Sequence, residues 1–168
     1  VMKDMLGTKG ARLSTDLSIP SRYLVLMPFG HHIGVSQRIE SEVERDRLRS
    51  MIERIQTQHK LPGSVIVRTA AEGIEEEAIA QDMAYLAKLW EYIQSRQRSV
   101  VVPSLIFEEL PLPQRVIRDL ANDETAKILV DSREIHSKLK EFVDVFVPNM
   151  KERLSHYPGE RPIFDLYN

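Results

Sequence analysis

Five apolar residues, Ile79, Met83, Leu86, Trp90 and Ile93, recur every three or four positions in the stretch that begins near Ile74. That spacing puts them on one side of a long helix, and a stripe of this length has to be buried. Glu75, Glu76 and Glu77 fall in its expected first turn and Arg96 and Arg98 near its end, where each sign suits the helix dipole. Just upstream, Pro62-Gly63 makes a turn and residues 65–67, V-I-V, read as a short strand. A long amphipathic helix entered from a short β-branched strand limits the fold to a mixture of α and β.

The rest of the chain agrees with an α+β or mixed α/β class. Residues 11–19 alternate strictly, with Ala11, Leu13, Leu17 and Ile19 on one side and Arg12, Ser14, Asp16 and Ser18 on the other. Period two predicts a half-buried strand that Pro20 breaks. Residues 23–27, Y-L-V-L-M, are apolar throughout and predict a strand covered on both faces, closed by Pro28 and Gly30. Ser41 followed by Glu44 is a capping box, and Leu48, Met51, Ile52 and Ile55 continue from it at helical spacing. Glu42, Arg45, Asp46 and Arg49 make the opposite, solvated face of that helix. Prolines 103, 111 and 113 mark a shift in composition and a candidate domain boundary. Beyond it, residues 114–120 read as helix and 128–130 as strand. Asp131 or Ser132 caps a helix with the stripe Ile135, Leu139, Phe142, Val143 and Phe146, and Pro148 ends it. A last stretch, P-I-F-D-L-Y from Pro162, reads as extended.

Charge and cysteine content exclude several classes. With 23 Lys and Arg against 25 Asp and Glu the net charge is −2, so contact with a nucleic acid has to come from a local basic cluster. There are no cysteines, hence no disulfide, thiolate metal site or thiol nucleophile, which suits a reducing, cytoplasmic setting. No apolar run reaches the roughly 18 residues of a membrane span, and no signal-peptide pattern opens the chain. The chain reads as a piece of a longer protein.

One short stretch invites a chemical reading. The strand at 65–67 delivers Arg68 and Thr69 side by side into a loop. A guanidinium offers a planar fork of donors that matches two phosphate oxygens, and a hydroxyl adds another. Glu75, Glu76 and Glu77 would repel an anion from the helix end, so it would have to sit on the other side of the loop, against a neighbouring strand. Taken alone, the pair is better explained as a surface arginine bridged to a carboxylate such as Glu72 or Glu75, with Thr69 in a turn. Lys9-Gly10 with Arg12 and, separately, Arg38 are basic spots that can touch a phosphate backbone, though taken alone they are better explained as solvated surface charge. His31-His32 lack a third ligand, Asp16 and Asp131 are not tied together, and Ser41 has no visible base. No P-loop, G-x-G-x-x-G or G-x-S-x-G motif is present.

Several stretches together are more specific. L-G-T-K-G-A-R-L-S-T-D-L (6–17), P-S-R-Y-L-V-L-M-P (20–28), G-V-S-Q-R-I-E-S-E (34–42), V-R-T-A-A-E-G (67–73) and G-E-R-P-I-F-D-L-Y (159–167) resemble the ribonuclease E/G family, in order and over nearly the whole chain. Gln37 and the G-T-K-G-A-R-L form stand nearer the G branch of the family than the E branch.

The resemblance implies the following. The family cuts single-stranded RNA internally in rRNA and mRNA processing and decay, and prefers a 5′-monophosphorylated end. Residues 1–15 would be the end of an oligonucleotide-binding barrel, 16–113 the 5′-sensor domain, and 114–168 a ribonuclease-H-like segment. The family's 5′-phosphate pocket maps onto Arg68 and Thr69, with backbone groups of Ser21 and Val25. Ser21 departs from the glycine frequent in ribonucleases E; a backbone contact survives that change unless it needs a glycine-only conformation. Lys9 and, more weakly, Arg38 map onto the RNA path. The Mg2+ site and the Zn2+ link of the full-length proteins lie beyond this sequence. No catalytic role therefore falls on Asp119, Asp131 or Asp165, and the chain alone is expected to be inactive. The parent protein is expected to be a cytoplasmic homo-oligomer, a dimer, acting on single-stranded RNA without a membrane. The alternative is a structural or protein-interaction module with no ligand site.

Overall fold

The computed structural model of the chain describes residues 5, 7–11, 13–59 and 61–166. It is an α+β fold whose described residues form two compact units dividing between Ala87 and Lys88. In chain order the elements are β1 (Ile19–Pro20), β2 (Leu24–Met27), β3 (Gly34–Val35), α1 (Glu42–His59), β4 (Ser64–Val67), α2 (Glu76–Ser99), α3 (Leu112–Leu120), β5 (Ile128–Val130), α4 (Arg133–Phe146) and β6 (Leu154–His156). The division between the units falls inside α2.

The first unit is built on a four-stranded sheet in the order β1-β2-β4-β3. β2 runs antiparallel to both neighbours, with Leu24 opposite Val67 and Leu26 opposite both Val65 and Ile19. β3 lies parallel to β4. Leu24, Leu26, Val65 and Val67 therefore share one face, and all four are inaccessible to solvent. The same unit buries Leu48, Met51, Ile52 and Ile55 of α1 and Ile79, Met83 and Leu86 of α2, which complete the apolar core. Each fully buried aliphatic side chain contributes roughly 1.5–3 kcal/mol. The expectation that residues 23–27 are covered on both faces is corrected: Val25 and Met27 are half-buried, and their neighbour Ile66 is 37% exposed.

The alternating stretch 11–19 does not form the expected strand. Only Ile19 and Pro20 pair with β2, and Lys9 makes an isolated bridge. Leu13 is 72% exposed, and the Asp16 amide donates to the Ser14 hydroxyl at 3.0 Å. With nothing to bury the alternating side chains, a local serine turn wins over the ladder. Pro20 sits inside β1 rather than ending it, which an edge strand permits. Arg12, part of the basic spot, lies outside the described residues.

The second unit pairs β5 with β6 in parallel, Ile128 opposite Leu154, with α4 between them in sequence. Ser132 caps α4 by accepting from the Ile135 amide at 3.3 Å. Leu139, Phe142 and Val143 of α4, Ile117 of α3 and Met150 form its core. Strand β6 was not visible as a pattern, because Leu154-Ser155-His156 is too short and polar to stand out. The expected extended tail is instead a 3-10 turn at Ile163–Leu166. The Asp165 amide donates to the Pro162 carbonyl at 3.0 Å, and Arg161 Nη2 donates to the Asp165 carbonyl at 2.7 Å.

Candidate anion-binding site

β4 carries Val65 and Val67 inward, so alternation turns Ile66 and Arg68 to the open face, beside Val25. The Arg68 amide extends the ladder by one bond, donating to the Tyr23 carbonyl at 2.8 Å. The chain then closes into a 3-10 turn, Thr69–Ala71. α2 starts at Glu76, two residues later than the stripe suggests, because the Ile74 amide is still bonded to the Ala71 carbonyl at 3.1 Å.

The Arg68 side chain is half-buried, and both hydrogen bonds of its guanidinium leave from Nη1, to the carbonyls of Ser21 and Arg22, the second at 3.1 Å. No carboxylate pairs with Arg68 among the described residues. The bridge to Glu72 or Glu75 is thus not formed, and the fork is fixed at one corner by neutral acceptors. Thr69 is exposed, and its hydroxyl lies 3.0 Å from that of Ser36. Ser36 is itself anchored, donating its amide to the Val67 carbonyl at 2.9 Å. Its hydroxyl accepts from the amide of Arg38 at 3.4 Å.

The turn between β1 and β2 completes the neighbourhood. Ser21 is wholly buried; its amide donates to the Leu24 carbonyl at 2.8 Å and its hydroxyl to Asp82 Oδ2 at 2.6 Å. Asp82, on α2, also accepts from the amides of Arg22 (3.2 Å), Tyr23 (2.8 Å) and Leu24 (3.1 Å). Burial pushes the Asp82 carboxyl up from its ordinary value, and the four donors act against that shift. The Arg22 guanidinium stands 5.0 Å above the ring of Tyr23.

The loop after Thr69 is held from α1. The Ser41 hydroxyl accepts from the Glu44 amide at 3.3 Å, but the Glu44 carboxylate turns to Arg47 and to the Gly73 amide instead of back to residue 41. Those two contacts, Arg47 first, hold Glu44 down to about 2. Gly73 has φ +70, a conformation in which a side chain is strained.

The structure joins Arg68 to the Ser21 turn and Thr69 to Ser36 through separate hydrogen bonds, with the Ser21 amide already taken by the Leu24 carbonyl and Val25 within β2. Arg38 joins only through its amide, and its side chain is exposed. Lys9 is exposed, with no hydrogen bond or ion pair linking it to this cluster among the described residues. Ser36 and Asp82 were missed in the sequence. Asp82 did leave a trace there, since an acid between Ile79 and Met83 interrupts an otherwise apolar stripe; Ser36 left none. Asp119 is paired with Arg118 at 2.7 Å, and no group of three His, Asp or Glu among the described residues can hold a metal ion. What the chain offers here is a guanidinium held by neutral acceptors and, one residue on, a threonine hydroxyl paired with that of Ser36, both of them groups able to donate to an oxyanion.

Comparison with known proteins gives this donor set a context. The sequence profile of the Ribonuclease E/G family matches residues 18–168, and the chain belongs to that family. It is 48% identical over all 168 residues to Ribonuclease G of Salmonella typhimurium and to that of Escherichia coli K12. It is 36% identical over 170 aligned positions to Ribonuclease E of a Nostoc species. The chain spans 34% of the length of the two G proteins and 24% of the E protein, so it corresponds to about a third or less of such a relative.

Proposed function

We propose that this chain is the RNA 5′-monophosphate-sensing part of a single-strand-specific endoribonuclease that works in rRNA and mRNA processing and decay. The observation that carries the reading is the state of Arg68. It stands at the end of a strand, engaged by backbone carbonyls and, among the described residues, by no carboxylate, with Thr69 following it in sequence. The likeness to proteins named Ribonuclease G and Ribonuclease E supplies the RNA.

A 5′-monophosphate carries close to two negative charges and strong acceptor oxygens. Arg68 takes two of those oxygens through its fork and Thr69 donates to a third. A 5′-hydroxyl end leaves these donors unpaired, at a cost on the order of 1–3 kcal/mol each, enough for tens-fold discrimination. Arg38 and Lys9 serve the following phosphates. Occupancy of the pocket favours a productive RNA arrangement at a catalytic centre elsewhere in the parent protein. That centre, with Mg2+, the Zn2+ link and the dimer contact, belongs to parts outside this sequence, in a cytoplasmic enzyme.

The test is binding of short single-stranded RNAs that differ only at the 5′ end. A tenfold or greater preference for the monophosphate, lost in Arg68→Ala, is the expected result, and equal affinities refute the reading. The alternative, an interaction module without a ligand site, is favoured by one feature. Leu112, Val116 and Leu120 lie at helical spacing on α3 and are all exposed, an apolar stripe suited to a protein partner.

A further inference from the structure

Two peptide groups lie between Asp82 and Arg68, and both point the same way. The first joins Ser21 to Arg22: its N–H donates to Asp82 Oδ1 at 3.2 Å, and its carbonyl accepts from Arg68 Nη1. The second joins Arg22 to Tyr23: its N–H donates to Asp82 Oδ2 at 2.8 Å, and its carbonyl accepts from the same Nη1 at 3.1 Å. In a planar trans peptide the N–H and C=O point in opposite directions. A carboxylate gathering the N–H ends therefore presents the oxygen ends, side by side, to whatever lies on the other side. Here that is one nitrogen of one guanidinium.

We infer that Asp82 is a positioning residue for the anion pocket. Its buried carboxylate, acting through the Ser21–Arg22 and Arg22–Tyr23 peptides, fixes the plane of the Arg68 fork. The inference rests on the sensing function proposed above and names a residue on which its selectivity depends.

Closing the hairpin does not by itself call for Asp82. The turn already has its own bond, from the Ser21 amide to the Leu24 carbonyl at 2.8 Å, and the strands on either side are paired. A carboxylate only 8% exposed is a costly way to brace a turn, since burial opposes its charge. Its four donors, from residues 21, 22, 23 and 24, leave the turn a single orientation. Asp82 thus opposes the guanidinium charge without touching it. A carboxylate bound directly to Arg68 would occupy the fork and compete with a phosphate. One held behind two peptide groups orients the fork and leaves its other edge for a ligand.

The experiment uses the full-length protein and two 3′-labelled single-stranded RNA decamers, identical except for a 5′-monophosphate or a 5′-hydroxyl. In the ligand-free wild type, Arg68 side-chain nitrogen resonances should show slow guanidinium rotation, with Nη1 and Nη2 resolved. Asp82→Asn should average those resonances and lower the monophosphate-to-hydroxyl affinity ratio about tenfold, with Arg68→Ala marking complete loss of the preference. A wild-type Arg68 that rotates freely overturns the inference without any variant, so a variant that fails to fold does not shelter it. A large wild-type ratio left unchanged in Asp82→Asn also overturns it. A wild-type ratio near one refutes instead the sensing function on which it rests, and so separates the two failures.

Discussion

Glu44 and Arg47 meet in a two-point ion pair, Nε to Oε2 and Nη2 to Oε1, each at 2.7 Å, and both also grip the loop that follows Thr69. The Gly73 amide donates to Glu44 Oε1 at 2.9 Å, and Arg47 Nη2 donates to the Ile74 carbonyl at 3.1 Å. A helix pair that would otherwise be surface decoration thus ties α1 to the loop between the site and α2.

This clamp has a pH signature. Glu44 is held down to about 2 from 4.5 by Arg47 and the Gly73 amide. A carboxylate lowered on folding adds stability that is present above its unfolded value and is lost as pH falls through its folded value. Glu44→Gln should therefore cost on the order of 1–2 kcal/mol at pH 7, discounted for the partial exposure of Arg47. The gap to wild type should close between pH 5 and 2. Urea unfolding at a series of pH values measures it, and a gap independent of pH refutes the clamp.

Arg68→Lys should lose most of the preference for a 5′-monophosphate, although the charge is kept. An ammonium has no planar fork and cannot satisfy both carbonyls and a bidentate oxyanion together. Fluorescence anisotropy with the two RNA ends gives the answer. Retention of the full ratio would show that charge alone is read.

Thr69→Val removes one hydroxyl while keeping the shape of the side chain. We expect the affinity ratio to fall several-fold, as for one net hydrogen bond of about 0.5–1.5 kcal/mol. Because Thr69 is exposed, its melting temperature should stay close to wild type. Ser36→Ala should act in the same direction, since its hydroxyl lies 3.0 Å from that of Thr69.

Ile52→Ala tests the core beneath the site. Ile52 is inaccessible to solvent, and truncation of such a residue costs about 2–5 kcal/mol. Chemical denaturation should show that loss. A cost below 1 kcal/mol would mean that α1 is not packed as described.

The strongest periodicities in the sequence were the ones that survived folding. The stripe of α2, the helix after Ser41 and the capping of α4 by Ser132 were legible because many residues repeat one signal. The alternation at 11–19 misled, since period two makes a strand only where another strand is available to pair, and among the described residues of that stretch just Ile19 finds one. Strands β3 and β6, of two and three residues, carry too little pattern to be seen. At the site, Arg68 and Thr69 could be singled out as donors, but the acceptors of Arg68 are main-chain oxygens from residues 46 and 47 positions away. Side-chain identity does not advertise such acceptors, so the sequence suggested a carboxylate partner where the fold supplies peptide groups.

Pro20 has a consequence for how this sheet can grow. It lies in β1, at one rim of the sheet, and lacks the amide hydrogen that an incoming segment would need as a donor. Recruitment of an extra β-segment, from another molecule or from a misfolded copy, is therefore discouraged along that border. It is steered to the opposite border at Gly34 and Val35, next door to the Ser36 hydroxyl that meets Thr69.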